Sequence, residues 1–298
     1  MAGVDWDDPV RPLLLVHLEP FEAARNGLAP DPEPVDRVEI ESRCLTAELT
    51  GVGFFDRAGR RAAKERASSR AAAEIQAEEH RRASAQGAFQ EELDERWGKL
   101  CENDPETVSQ ALGAAFQRRK LPASPLEVQR ASVSLLIRVG TTDAIPDRKP
   151  DFTPTGMPTT RKRTKGEIND LYAQALASRV LAAVRETLAA APSVNDVRVL
   201  VVRKDARVER PSDFLSAIYA GTFSRERCDR LAWDNVNPLE ELLLAPGALL
   251  HRKGATSEVV PLDLSADPEL KEVIDELRHE LAAPGETRAP APTEPSPQ

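Results

Sequence analysis

The chain has 298 residues, enough for one large domain or two smaller ones. Hydrophobic residues make up 41% of it and aromatic residues only 4%, so the core must be aliphatic and stacking platforms for bases are scarce. A formal net charge of −9 argues against wholesale, charge-driven nucleic-acid binding and leaves only local basic segments to consider.

Residues 1–55 form an acidic, proline-punctuated N-terminal region. Residues 1–8 lack a basic stretch leading into an apolar one, so no signal peptide is expected. The apolar run 13–18 reads as a strand and 38–41 as a weaker one, with Pro30, Pro32 and Pro34 between them. The sequence leaves open whether this region forms a small lobe or packs onto a later domain. Gly51 and Gly53 give half of a dinucleotide fingerprint, but Asp56 stands where the third glycine belongs. A carboxylate there would oppose a pyrophosphate, so a turn is the better reading.

Residues 56–102 predict one long, charged helix, about 66 Å over positions 57–100 at the standard rise. Its first half offers only an alanine face. In its second half Phe89, Leu93, Trp97 and Leu100 recur at helical spacing, a seam able to pair with another helix. Two readings stand: an oligomerising coiled coil, or a solvated helix that docks only its last turns on its own core.

Residues 103–282 predict an α+β domain. Asp104, Pro105 and Glu106 start a helix that runs to the cations Arg118, Arg119 and Lys120. Residues 132–139 alternate as a half-exposed strand, and 141–160 read as a proline-rich loop. Thr164 and Glu167 form a capping box before a long, broadly apolar helix that Pro192 ends. Residues 197–203 are apolar on both faces, as an interior strand should be. A second strand spans 214–223, with Leu215, Ala217, Tyr219 and Phe223 on its core face. Short helices at 224–231 and 238–244, a strand at 259–264 and a last helix from Asp267 complete the domain. Residues 283–298 form a disordered proline-rich tail. The fold class is therefore α+β: a long charged helical arm, then an α+β sandwich with a small mixed or antiparallel sheet.

Chemistry is sparse. Cys44, Cys101 and Cys228 lack paired spacing, which predicts a reducing compartment and neither a disulfide framework nor a zinc site. His17, His80, His251 and His279 are scattered, and no nucleophile elbow occurs. Catalytic residues are not identifiable, and no cofactor or metal is implied. A metal-dependent nuclease would have to draw on Asp147, Asp196 or Asp205, which are better read as solubilising residues at loops and strand ends. The remaining candidate is the basic segment 148–165, where Arg148, Lys149, Arg161, Lys162, Arg163 and Lys165 face only Asp147 and Asp151. Cations just before a helix oppose its dipole, so local structure does not explain them. Contact with an acidic surface, in this chain or another copy, is preferred to nucleic acid.

The resulting expectation is a cytoplasmic, non-enzymatic interaction or scaffold protein. It would associate through its helical arm with a protein partner or another copy. No run of about 18 apolar residues exists to span a membrane, so no membrane is expected as a partner. The alternative is a nucleic-acid-binding or processing protein that uses the basic segment.

Overall fold

The computed structural model describes residues 8–204, 215–263, 271–272 and 274–276. Contacts divide the chain into two units, one of residues 25–99 and one of residues 1–24 with 100–298.

The second unit, the body, is organised around α5 (Lys165–Ala190). Its capping box forms as the sequence requires, with Glu167 N–H donating to Thr164 Oγ1 and the Glu167 carboxylate accepting from Thr164 N–H. At its other end Arg225 donates to the carbonyls of Leu188 (2.9 Å), Ala191 (2.9 Å) and Val194 (2.8 Å). One planar guanidinium thus satisfies acceptors that a helix C-terminus and the turn after it leave open.

The sheet has four strands in the order β1 (Ala123–Gln129), β2 (Ser132–Val139), β5 (Asp196–Lys204), β6 (Leu215–Ser224). β1–β2 and β5–β6 are antiparallel while β2–β5 is parallel, so the sheet is mixed. The parallel pair needs a crossover, and α5 supplies it. Val133, Leu135 and Ile137 sit level with Val197, Val199 and Val201 to make one apolar face. On the other face Leu136, Leu200, Val202, Leu215 and Ala217 pack with Leu262 and Ile274.

β6 does not keep one core face along its length. A bulge sets Val202 opposite Ala217 but Val201 opposite Tyr219. Leu215 and Ala217 therefore belong to one face of the sheet, and Tyr219 and Phe223 to the other. Gly221 is required here, because a Cβ would stand 2.2 Å from the Tyr219 hydroxyl, which is held by the Leu242 carbonyl (3.0 Å).

Several expectations change. Residues 13–18 are helical, as α1 (Arg11–Leu14) and a 3-10 turn (Val16–Leu18), because Pro12 starts a turn and α5 offers a surface rather than a strand edge. Residues 38–41 lie in α2 (Arg37–Leu49), whose N-cap Asp36 accepts from Glu39 N–H (2.9 Å). The expected loop 141–160 contains a hairpin, β3 (Arg148–Phe152) with β4 (Pro158–Lys162). Two-stranded ribbons have only edges, so Pro150 and Pro158 are tolerated. The strand expected at 259–264 is shorter, β8 (Glu258–Val260), paired with β7 (His251–Lys253). The tail 283–298 lies outside the described residues.

α4 (Pro105–Arg119) packs on β1 and α5, and α6 (Arg225–Arg230) and α7 (Pro238–Leu243) follow β6. In the 25–99 unit, α2 runs antiparallel to α3 (Arg57–Cys101): Arg37 pairs with Glu79, Arg43 with Glu74, and Glu48 with Arg66 and Arg70. Residues 26–34 continue that course along α3, with Asn26 on Asp94, Ala29 on Gln90 and the Glu33 carbonyl on Arg82.

Replacing Arg225 with Ala should lower unfolding stability by about 2–3 kcal/mol, since it removes charge-assisted hydrogen bonds to three carbonyls at once. Urea unfolding checks this, and Arg225→Lys should recover only part of the loss.

Candidate functional site

The basic segment lies on the β3–β4 hairpin and the start of α5, where three of its six cations pair with carboxylates of this chain and only Arg163 is buried. Glu167, already in the capping box, accepts from Lys149 Nζ (2.8 Å) and Arg161 (2.6 Å). Those two cations, with the Thr164 N–H, hold the Glu167 carboxyl far below the usual carboxylate range. Arg161 also lies 3.4 Å from Asp151. Arg148 donates to Thr160 across the hairpin (3.0 and 3.2 Å). Lys162 and Lys165 are exposed and make no ion pair among the described residues.

Arg163 is the exception in depth. It is buried, its guanidinium pairs with the equally buried Asp8, and its Nε donates to the Pro146 carbonyl (3.1 Å). Asp8 in turn accepts from Val10 N–H (3.0 Å). One cation of the segment thus meets the acidic N-terminal region of its own chain, 155 positions away. Arginine suits such a site, because it stays charged and forks onto a carboxylate.

The same N-terminal segment carries a second buried polar contact. His17 has no exposed surface. Its N–H donates to Ser178 Oγ (3.2 Å), and its Nδ1 shares a hydrogen with that hydroxyl (2.9 Å). The spacing is that of a nucleophile and base, yet Ser178 is also wholly buried, so no substrate reaches it. Burial, and then the Arg185 charge, lower the His17 pKa and favour its neutral form. Arg185 donates to the His17 carbonyl and is sandwiched by Phe21 (4.6 Å) and Trp233 (4.4 Å). Arg119 lies over the same Phe21 ring (4.7 Å) and pairs with the buried Glu186 (2.9 Å). These contacts fasten residues 8–24 across α5 and read as architecture rather than chemistry.

The other candidates do not assemble. Asp147 offers its backbone carbonyl to Arg163 N–H (2.7 Å), Asp196 opens β5, and Asp205 lies outside the described residues, as does His279. His80 and His251 are exposed on separate units. Among the described residues no group of three or more His, Cys, Asp or Glu could hold a metal. All three cysteines are free; Cys44 and Cys228 are buried, and desolvation lifts the Cys228 thiol to about 11, an unreactive range. No helix among the described residues is long and apolar enough to cross a membrane.

The helical unit carries the expected seam, an open groove and two exposed phenylalanines. Of the expected seam, Leu100 is buried, Leu93 and Trp97 are half-buried, and Phe89 is exposed. Residue Gly27 lies against Leu93, so part of the seam is covered by the chain itself. Between α2 and the first half of α3 runs an open groove of about 500 Å³, floored by Leu45, Ala67, Ala71 and Ile75. At the turn joining the two helices, Phe54 and Phe55 are 78% and 92% exposed. Sequence reasoning passed over both. The phenylalanine pair could have been noticed, because it sits after a Gly-Val-Gly turn and belongs to no periodic apolar face.

Two outcomes check this electrostatic account. Asp8→Ala should cost about 3–5 kcal/mol in urea unfolding, because it strands a buried guanidinium, whereas Asp8→Leu combined with Arg163→Met should cost far less. His17 is neutral in the fold, so the unfolded chain takes up its proton first as pH falls below about 6.5. The stability advantage of the native chain over His17→Gln should therefore be full at neutral pH and shrink on acidification; an advantage that grows would contradict the assignment.

Comparison with protein-family models, curated proteins and solved structures finds no match to this chain.

Proposed function

We propose that the chain is a non-enzymatic interaction protein that associates through its helical unit. The observation that carries this is the poverty of that unit's core. Residues 25–99 bury only Ile40, Cys44, Ala63, Ala67 and Ala71, mostly small side chains, with Val35 and Ile75 half-buried against them. A unit of this size holds together better when another surface joins its core. Its ion pairs are largely exposed and contribute little on their own.

The groove between α2 and α3 is where such a surface fits. Alanines on its floor permit close helix approach, and Leu45 and Ile75 offer larger apolar contacts. Lys64 stands at one end, with Glu79 and Arg37 at the other. A second copy laid antiparallel along the groove sets Lys64 of each against Glu79 of the other. That self-complementarity favours a closed two-fold pair. The basic segment supports the nucleic-acid reading less well, since Lys149, Arg161 and Arg163 already hold carboxylates of this chain.

Light scattering on the full chain over a dilution series should show a dimer that dissociates on dilution. Ser68→Arg with Ala72→Arg, both exposed positions in the groove, should give a monomer of unchanged body stability but lower helix melting temperature. A wild-type monomer at every concentration, with the same melting curve as the variant, would refute the self-association.

A further inference from the structure

We infer that the turn end of the α2–α3 hairpin, residues 50–64, is a contact site for an anionic lipid surface. This is a surface contact, distinct from a membrane span, and it stands on the turn alone without requiring the groove.

The turn presents two adjacent phenylalanines that the unit leaves largely exposed. Gly51, at φ +88°, takes the chain out of α2 in a conformation other residues adopt with strain. Asp56 then caps α3, accepting from Gly59 N–H (2.8 Å). Between these fixed points Phe54 and Phe55 project edge to face, ring centroids 5.4 Å apart. Two large exposed aromatics side by side at a helix turn bury little within the fold, and they form the apolar wedge of an interfacial anchor.

Charge selects the surface. Residues 50–64 carry Arg57, Arg60, Arg61 and Lys64 against Asp56 alone, in a chain whose net charge is −9. Three of these arginines lie in the first turns of α3, where the helix dipole opposes them, so the helix does not account for their presence. Arg60 stacks on Phe54 (5.5 Å to the centroid), and Arg61 is partly balanced by Glu65 (3.3 Å). Arg57 to Lys64 spread over about 10 Å of helix behind the phenylalanines. That ordering matches the depth profile of a bilayer interface, with aromatic side chains at the acyl boundary and cations among anionic headgroups. A protein partner would need a concave acidic pocket to receive the same turn, and the layered spacing does not call for one.

The test uses the full chain in flotation assays with phosphatidylcholine vesicles, with and without phosphatidylserine. Binding should require phosphatidylserine and fall steeply with added salt. Phe54→Ser with Phe55→Ser should weaken it at least about ten-fold. Arg57→Ala with Arg60→Ala should weaken it about twenty-five-fold, at about five-fold per cation. Phe54 and Phe55 lie at the exposed turn and Arg57 and Arg60 in the first turn of α3, so circular dichroism of each variant should show the helices intact. The groove variant Ser68→Arg with Ala72→Arg should still bind, which separates this site from self-association. Failure to float with phosphatidylserine vesicles, or binding indifferent to both sets of substitutions, overturns the inference. Binding to soluble poly-glutamate with none to vesicles also overturns it, by assigning the turn to an acidic protein surface.

Discussion

The body depends on the burial of α5. Fourteen of its 26 residues are buried, so the helix must be covered on more than the side that meets the sheet. Four of the fourteen are polar: Asn169, Ser178, Glu186 and Thr187. Each needs a partner inside the protein, because an unpaired polar group in such a place is strongly unfavourable. Thr187 bonds back to the Ala183 carbonyl, Asn169 donates to the Thr256 carbonyl, Ser178 meets His17, and Glu186 meets Arg119. The packing of the N-terminal segment, α4 and the β7–β8 turn onto α5 is therefore dictated by specific hydrogen-bonding needs as well as by apolar area.

The same logic governs the cations. A chain with excess negative charge tends to find a carboxylate for any cation near its core, and the β3–β4 hairpin shows this at Glu167, Asp151 and Asp8. Glu167 does two things at once, closing the capping box of α5 and neutralising two cations of the hairpin that precedes it. Tertiary structure thus accounts for Lys149, Arg161 and Arg163, while Lys162 and Lys165 stay exposed. At the α2–α3 turn Arg57 and Lys64 are exposed, Arg60 is half-buried against Phe54 and Arg61 is balanced by Glu65, so there the cations lie beside exposed aromatic surface rather than on a buried carboxylate.

The helical unit is built on a different balance. Its small core and exposed ion pairs fix the antiparallel register of α2 on α3 without burying much area. Alanine at Ala63, Ala67 and Ala71 keeps the two backbones close and leaves a shallow groove beside them. A surface that bound in the groove would add to this small core, which is why the proposed association would be coupled to folding.

The sequence by itself determined the elements whose signals are local. The Asp104 and Thr164 caps, the run of α3, the alternation of β2 and the apolar strand β5 all emerge from spacing and capping chemistry within a few residues, and so does the α+β class. Only the tertiary structure decided what depended on distant partners. The apolar run 13–18 became helical because it lies on α5 rather than against a strand edge, and one β6 bulge moved Tyr219 to the opposite face from Leu215. The fate of each cation was illegible for the same reason. Arg163 and Lys162 are neighbours in one basic run, yet one is buried on Asp8 and the other lies in solvent. Periodicity and caps act over a turn or two of chain. Charge pairing and burial act across the folded molecule, and a linear sequence does not display those distances.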